Sequence, residues 1–478
     1  MEKSLSKREL GLIEAGKIYG KETEEALRRY LANIGNEYYI WLSDLYEPRK
    51  CICNNFDEDG CRICLHPKDE NGEPLCRGGG FYYSNSARDT EGYDIDIEST
   101  AQACGFIAGT GLLDNYDRDY KKAFPKQMQK DILAFAKSLQ YSDDGYFYHP
   151  KWKKNITPSR LGRDLGWATG LIKSLGDVPF YDTKNGHKGS LGAPTGATAE
   201  NGGDASQNNT WVPHLKNLDA FKEYLASFDL ATRSYSAGNM MNAQTGQFKA
   251  RDAKAIEDGE AHDNNGDGIA EDGFIAYFEK FFNERQNPKN GLWEDVVHYN
   301  GVNGLMKLST SYNALGLKLN FAKTAFESAL EIALLPAGVA DVKGKYATGS
   351  VDVFNPWVAF QAILANVKKF GTEEEYLELK KMLADRSAEL VEVSREKAAK
   401  FKKPDGSFGY TWNCPPHTSQ SAPVCPEGFI EGDVNGGGIA TNGIWRNICA
   451  TLELTIPIFS PEDGEILLNR IKKRCNYN

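Results

Sequence analysis

The amino-acid sequence predicts a mostly helical fold, an (α/α)6–7 toroid of helical hairpins with long loops and a small Cys-rich insertion. Apolar positions recur at spacings of three and four through most of the 478 residues, which is the period of helices with one buried face. Polar segments precede six apolar stretches, and they start roughly 55 to 80 residues apart, enough for an inner and an outer helix with their connections. These segments lie at residues 93–98, 159–164, 235–239, 298–303, 353–357 and 435–442. In such a ring the inner helices begin around one cleft, so we expect function at these segments.

The apolar stripes place the predicted helices in chain order. They comprise two helices within residues 5–45, followed by 98–111, 124–139, 165–175, 221–230, 273–282, 303–317, 321–335, 358–370, 373–400, 439–454 and 461–473. Residues 176–210 are rich in Gly, Asn, Ser and Thr, which predicts a long loop, either a lid or a tolerated surface insertion. We therefore predict one toroid domain over residues 1–478, carrying this loop and a Cys-rich insertion at 49–77.

Composition excludes several classes of function. Hydrophobic residues make up 41% of the chain and charged residues 26%, as in ordinary soluble globular proteins. The net charge of −10 argues against nucleic acid as a partner, because a phosphate-binding surface needs a basic excess. The sequence contains no run of about 18 apolar residues, so we predict no membrane span. The N-terminus lacks the apolar core of a signal peptide, so we expect a protein that is cytoplasmic, or secreted with a leader that is absent here.

Closely spaced cysteines indicate a metal site. A C-x-C pair and a C-x-x-C pair flank a short acidic turn, and His66 and Cys76 follow closely. Thiolate pairs joined by a tight loop close tetrahedral sites, usually around Zn²⁺. Disulfides and free thiols are the alternatives. Excising residues 49–77 leaves a continuous loop, so we predict a structural zinc knuckle with the ligands Cys51, Cys53, Cys61 and Cys64.

A second metal site is predicted in an acidic turn. Oxygen ligands at positions one, three and five, followed by Gly at six, suit a loop that wraps Ca²⁺, and the turn resembles calcium loops of the EF-hand and dockerin type. Position twelve is Phe274, so another carboxylate has to complete the site. The predicted ligands are Asp263, Asn265, Asp267 and Asp272. The alternative is a solvated acidic turn, and an ion here would be structural.

The six segments and the aromatic stretch before the second of them are typical of a sugar-binding cleft. Sugar rings stack on aromatic faces, and sugar hydroxyls both donate and accept hydrogen bonds. We therefore expect a carbohydrate substrate and no organic cofactor. The residues expected to bind it are Tyr146, Tyr148, His149, Trp152, Arg160, Asn303, Trp357 and Asn442.

From about residue 80 onward the arrangement resembles the α/α-toroid carbohydrate-active enzymes, which include polysaccharide lyases of the alginate, chondroitin and heparin types and several glycoside hydrolases. The resemblance rests on architecture and cleft composition. In such lyases, it implies, a neutral His or Tyr removes the proton α to a uronate carboxylate. Asn or Arg withdraws charge from that carboxylate, and Tyr protonates the leaving O4. An acidic polysaccharide or oligosaccharide is the implied substrate.

Elimination needs this set because the C5 proton of a uronate is weakly acidic, and fixed donors must neutralise the charge that develops on the carboxylate. His298 is the candidate base, because the positive end of a helix disfavours its protonated form. A structural role for His298 is the alternative. Tyr299 or Tyr235 is the candidate acid. The candidates for holding the carboxylate are Asn239, Asn300 and Arg163.

Two other functions stay open. An inverting glycoside hydrolase needs two carboxyl groups roughly 6.5 to 9.5 Å apart, and the candidates are Asp94, Asp96, Glu98, Glu294, Asp295, Glu431 and Asp433. A toroid that binds glycans without turning them over is the third possibility. The amide and histidine content of the segments favours the lyase.

Overall fold

The computed structural model describes residues 5–182 and 211–477. Helices dominate these ranges, and the strands are short two-residue pairs, which confirms the prediction of a mostly α-helical protein. Within the described residues, no helix is both long and apolar enough to cross a bilayer. The loop predicted at 176–210 falls largely on residues 183–210, which lie outside the described ranges.

The first half of the described chain contains helices α1 to α9. Their bounds are α1 (Lys7–Tyr19), α2 (Lys21–Asn33), α3 (Glu37–Asp44), α4 (Asn85–Asp89), α5 (Ile97–Gly109), α6 (Tyr120–Ala123), α7 (Lys126–Ser138), α8 (Pro158–Ser174) and α9 (Leu218–Ala226). The strands here are β1 (Tyr46–Glu47), β2 (Asn55–Phe56), β3 (Arg62–Ile63) and β4 (Gly80–Phe81). β1 pairs with β4 and β2 with β3, both antiparallel.

The second half contains helices α10 to α19. Their bounds are α10 (Leu230–Glu257), α11 (Phe274–Asn283), α12 (Tyr299–Leu315), α13 (Ala322–Leu334), α14 (Val351–Phe370), α15 (Glu373–Asp385), α16 (Ser387–Ala399), α17 (Val434–Gly438), α18 (Ile444–Thr451) and α19 (Pro461–Cys475). A π-helical turn at Ile439–Gly443 joins α17 to α18. The remaining strands, β5 (Thr418–Ser419) and β6 (Ala422–Pro423), form an antiparallel pair.

The helices form two series that alternate along the chain. In one series, α5 packs on α8, α10 on α12, α12 on α14, α14 on α18, and α17 on α5. The helices of the other series pack against members of the first: α7 on α8, α11 on α10, and α13 on both α12 and α14. The two ends of the chain also meet, because α2 packs on α16 and α3 on α19.

Four of the six polar segments are helical throughout, where we had predicted turns ahead of helices. Residues 159–164 lie inside α8, 235–239 inside α10, 353–357 inside α14, and 435–442 inside α17 and the π-helical turn that follows it. In α8 the glycines at 162, 166 and 170 have open space where a Cβ would lie, so they occupy ordinary helical positions on an exposed face. The predicted helix 373–400 is two helices, because the chain leaves helical geometry at Arg386.

Two connections between the series are held by the same arrangement of hydrogen bonds from a glutamine side chain. The buried Gln140 side chain follows α7, and its Nε2 donates to the carbonyl oxygens of Gly145 at 2.9 Å and Tyr181 at 3.1 Å. Gln286 follows α11, and its Nε2 donates to Gly291 at 2.8 Å and Asn320 at 2.9 Å. A glutamine side chain therefore fixes each connection: Gln140 fixes the path from α7 to α8, and Gln286 fixes the path from α11 to α12.

Candidate functional site

The start of α5 and the first turn of α8 are joined by a buried charge network. Arg160 is fully buried and forms ion pairs with Asp96 at 2.9 Å, Glu98 at 3.0 Å and Asp164 at 2.8 Å. Burial raises the pKa of Asp164 to about 7, although Arg160 opposes the shift. Arg160 therefore forms ion pairs with three carboxyl groups inside the protein. It was predicted to bind substrate, and its burial corrects that prediction.

Arg163 lies one turn after Arg160 on α8, and its side chain is partly exposed. Its guanidinium pairs with Glu98, which also accepts hydrogen bonds from Ser419 Oγ at 2.8 Å and from Gln102 Nε2 at 3.2 Å. Gln102 in turn donates to Asn435 Oδ1 at 3.2 Å. These contacts bring the beginnings of α5, α8 and α17 together around a cation that is open to solvent.

Lys307 of α12 faces the same region. It is half-buried, and burial followed by the positive charge of Arg163 lowers its pKa. A Cβ added to Gly238 of α10 would lie 2.8 Å from the Lys307 Cβ, so α10 and α12 touch at the stem of this lysine. Sequence reasoning missed Lys307 because it lies within a predicted core helix. The available signal was a lysine on a stripe that is otherwise apolar or small.

Tyr410 and Tyr235 form the next part of the site. Burial raises the pKa of Tyr410, and Tyr235, Asp352 and Asp433 act on it in the same direction. The Tyr410 backbone N–H donates to Asp433 Oδ2 at 2.7 Å. Burial also raises the pKa of Asp433 to about 6. Tyr235 was predicted as a candidate acid and is half-buried here, whereas Tyr410 was not singled out from the sequence.

Amide side chains link the beginnings of α12 and α14. Asn303 Nδ2 donates to Asp352 at 3.1 Å, and Asn355 Nδ2 donates to Asn303 Oδ1 at 2.9 Å. Lys345 pairs with Asp352 at 2.7 Å and donates to Asn300 Oδ1 at 2.9 Å. Asn303 is buried, so its predicted contact with substrate is corrected to a helix-to-helix contact. Asn300 is exposed, as a residue that binds substrate has to be.

His298 and Tyr299 are placed differently from the prediction. His298 is the N-cap residue of α12, but it is buried, with Nε2 2.6 Å from Glu294 Oε2. Burial opposes ionisation of Glu294, yet hydrogen bonds from His298 and Ser234 outweigh it and lower the Glu294 pKa to about 2. Tyr299 is fully buried, and its hydroxyl has no hydrogen-bond partner among the described residues. A base or an acid must reach substrate, so these burials remove both residues from the candidate catalytic set.

The aromatic residues predicted to stack on sugar are packing residues. Tyr146, Tyr148, His149, Trp152 and Trp357 are all buried. His149 stacks on Trp152 with ring centres 4.0 Å apart, and Trp357 Nε1 donates to Ser394 at 2.9 Å. Burial of these side chains corrects their assignment as a substrate platform.

Three accessible side chains complete the region. Asn239, a predicted carboxylate-holding residue, is exposed on α10, and Asn442, a predicted substrate-binding residue, is half-buried in the π-helical turn. Trp167 is 37% exposed on α8. It lies four residues after Arg163 and so shares its face of the helix.

Four cysteines form a separate group within the Cys-rich segment, which we define as residues 49–77. The sulfur atoms of Cys51, Cys53, Cys64 and Cys76 all lie within 4.8 Å of one another. Cys61, a predicted ligand, is outside this group, because its backbone N–H is held by Asp57 at 2.8 Å in the turn before β3. The structure therefore supports a group of four cysteines close enough to hold a metal ion, with Cys76 in place of Cys61.

The predicted calcium loop has no comparable convergence of ligands. Asp263, Asn265 and Asp267 accept hydrogen bonds from backbone N–H groups of their own turn. Asp272, which was to complete the site, is 2.8 Å from His262 Nδ1. Calcium binding therefore stays a prediction.

A cavity of about 310 Å³ lies between the Cys-rich segment and the helices. Its lining includes Arg49, Cys76, Tyr93 and His149. It is distinct from the region around Arg163 and Lys307, which contributes no residue to it. The candidate site therefore comprises Arg163, Lys307, Tyr235 and Tyr410 and does not include this cavity.

Comparisons with family models, curated proteins and solved structures returned no match for this chain.

Proposed function

We propose that this chain is a polysaccharide lyase that cleaves a uronic-acid-containing polysaccharide or oligosaccharide by β-elimination, and that its helices form an α/α toroid. Contacts around the site support the ring. Glu98 touches Arg163, which faces Lys307; Lys307 packs on Gly238 of α10, and Gln102 bonds Asn435. Five helices of the first series, α5, α8, α10, α12 and α17, thus contribute to one region.

The observation that carries the lyase proposal is the approach of two accessible cations, Arg163 and Lys307, from different helices. The charged neighbour that acts on Lys307 is a second cation. Like charges that face one another are unfavourable, so an anion between them would be stabilised. A uronate carboxylate is such an anion, and its neutralisation is what lowers the barrier to removing the C5 proton.

The pKa shifts divide the proton-transfer roles. Burial and the positive charge of Arg163 lower the Lys307 pKa, so a larger fraction of Lys307 is neutral near neutral pH and can take the proton from C5. Once protonated, Lys307 is the second cation beside the carboxylate as its negative charge develops. A tyrosine with a raised pKa stays protonated, so Tyr410 gives its proton to O4, with Tyr235 beside it. The electron pair of the C5–H bond forms the C4–C5 double bond as the C4–O4 bond breaks. Arg163 holds the carboxylate throughout.

Neighbouring exposed groups suit the rest of a sugar chain. Trp167 offers an aromatic face one turn from Arg163, where a sugar ring can stack. The amides of Asn239 and Asn300 can donate to and accept from hydroxyls. These contacts would bind substrate and transition state alike, so their loss should raise KM more than it lowers kcat.

The test is to supply alginate, hyaluronan, chondroitin, heparan and glucuronan and to follow the ultraviolet absorbance of the unsaturated product. We expect one of them to give that absorbance, and Lys307→Met to lower kcat by about 10²- to 10⁴-fold. Tyr410→Phe should act in the same direction. The matched controls are Lys318→Met, just beyond the other end of α12, and Tyr277→Phe on α11; both should keep the wild-type rate.

Lys307→Met with an undiminished rate would remove the proposed base. The alternative is hydrolysis, which is favoured by one observation: the raised pKa of Asp433, about 6, in a carboxyl group that acts on Tyr410 together with Asp352. Both carboxyl groups are buried, which makes this pair the weaker candidate. Reducing ends without ultraviolet absorbance would identify a hydrolase, and glycan binding without either product would identify a binding protein.

A further inference from the structure

We infer that Cys51, Cys53, Cys64 and Cys76 bind one metal ion as a tetrathiolate site, with Zn²⁺ as the ion that this ligand set favours. Four sulfurs that each lie about 2.3 Å from a tetrahedral ion are about 3.8 Å from one another. The four sulfur atoms here lie within 4.8 Å of one another, with Cys51 and Cys76 Sγ at 3.3 Å. Small movements therefore suffice to close the site.

The pairing of the backbone explains how distant cysteines meet. An antiparallel bridge joins Lys50 to Arg77, which places Cys51 beside Cys76 although they are far apart in sequence. The pair of β2 and β3 brings the ends of that hairpin together. As a result the Leu65 N–H donates to Cys53 Sγ at 3.4 Å. Cys61 lies at the opposite, turn end of this hairpin.

Donors around the sulfur atoms match thiolate ligands. The Cys53 N–H donates to Cys51 Sγ at 3.4 Å, and Arg49 Nε donates to Cys64 Sγ at 3.3 Å. Four thiolates and a divalent cation leave two negative charges, which a buried site has to balance. Arg49 is buried, and one of its guanidinium nitrogens has no hydrogen-bond partner in the part of the chain that the structure describes. Its positive charge therefore lies against the group that needs it.

The role of this site is structural. Four protein ligands leave no open position for substrate or water. The Cys-rich segment rests on α7, where the Arg49 N–H donates to Asp131 at 3.0 Å and the Arg62 N–H donates to Gln127 at 2.7 Å. A segment with this little apolar core needs another source of stability, and a metal supplies it. Because Cys76 lines the 310 Å³ cavity, the ion would also fix one wall of that cavity.

The test is the metal content of the full chain, purified without chelator, together with Cys76→Ser and the matched control Cys61→Ser. We expect one zinc ion per chain in wild type and in Cys61→Ser, and loss of zinc in Cys76→Ser. Replacement by Co²⁺ should give the visible bands of a tetrahedral thiolate site. Cys61→Ser comes from the same segment, so it reports any general effect of replacing a cysteine there.

Wild-type protein without bound zinc would overturn the inference, and this result does not depend on whether a variant folds. Zinc retained by Cys76→Ser but lost by Cys61→Ser would restore the ligand set predicted from sequence. A disulfide between Cys51 and Cys76, detected by mass spectrometry without reductant, would also overturn it. None of these three results bears on the proposed lyase, whose residues lie elsewhere.

Discussion

Lys397 is a buried cation whose environment works against its charge. It lies on α16, 1% exposed, and its ammonium donates to the carbonyl oxygens of Ile332 at 3.0 Å and Ala333 at 3.1 Å. The ammonium is also 5.4 Å from the ring centre of Tyr299. Burial lowers the Lys397 pKa to about 7, although Asp352 opposes the shift. The folded state therefore binds this proton less tightly than the unfolded chain does.

This shift predicts a stability that depends on pH. Between about pH 7 and 10.5 the folded state has lost the Lys397 proton and the unfolded chain retains it. The free energy of unfolding should therefore rise with pH in this window, and the rise should vanish in Lys397→Met. Chemical denaturation at a series of pH values checks it, with Lys400→Met, at the exposed C-cap of the same helix, as the control. Parallel pH profiles for wild type and Lys397→Met would contradict the prediction.

Single residues were also where sequence reasoning was weakest. It placed His298 correctly at the start of α12, because a polar segment ahead of an apolar stripe marks a helix N-terminus. It could not show that the ring turns inward to Glu294, since that orientation depends on Ser234 of another helix. Lys307 was missed for the converse reason: a core stripe does not reveal which polar member faces the cleft.

At the scale of elements, α10 and α12 approach closely through small residues. A Cβ on Gly238 would lie 2.8 Å from the Lys307 Cβ, and one on Gly304 would lie 2.2 Å from Ser234 Oγ. By contrast, a Cβ added to Gly246 of α10 would lie in open space. Gly238 and Gly246, both on α10, thus differ in whether a neighbouring helix lies against them.

Gly238→Ala and Gly246→Ala should therefore have opposite effects. The first forces α10 away from α12 and should lower the free energy of unfolding by about 1–3 kcal/mol. The second adds no contact and restricts the unfolded chain, so it should raise the free energy by about 0.4–1 kcal/mol. Urea denaturation of both variants measures the difference. Equal effects would show that α10 and α12 do not touch at Gly238.

Most elements were predictable and several boundaries were not. The stripes at 98–111, 273–282 and 321–335 match α5, α11 and α13 within two residues, because their apolar period is unbroken. The start of α8 was missed because Gly162, with the polar residues around it, resembles a turn, whereas it is a helical glycine on an open face. Cys76 was noted but not chosen as a ligand, because its position depends on the bridge between Lys50 and Arg77.

At the scale of the whole molecule, the two ends of the chain pack against each other. Tyr39 of α3 donates its hydroxyl to Asp463 of α19 at 3.1 Å. The Tyr19 hydroxyl donates to the Leu452 carbonyl at 2.9 Å. Gly464 also lies so close to Leu112, just after α5, that a Cβ would meet its carbonyl oxygen. The last helix therefore supports the first helices of the chain.

A chain that ends at Ser460, and so lacks α19, should lose protection in elements distant in sequence. We expect faster amide exchange in α3 and at the end of α5, and a lower melting temperature, because both elements lose a packed neighbour. Exchange measured by mass spectrometry locates the effect. The control chain ends at Tyr477. Unchanged protection of α3 would mean that closure at the chain ends does not stabilise it.

The pairing of β1 with β4 has a consequence for protein engineering. Tyr46 lies opposite Phe81 and Glu47 opposite Gly80, so the Cys-rich segment departs and comes back through one narrow neck. Chain length beyond such a neck adds little closure entropy. The helical body would therefore accept a foreign cargo at this point, such as a fluorescent protein or an affinity tag, without a change in the route of its backbone.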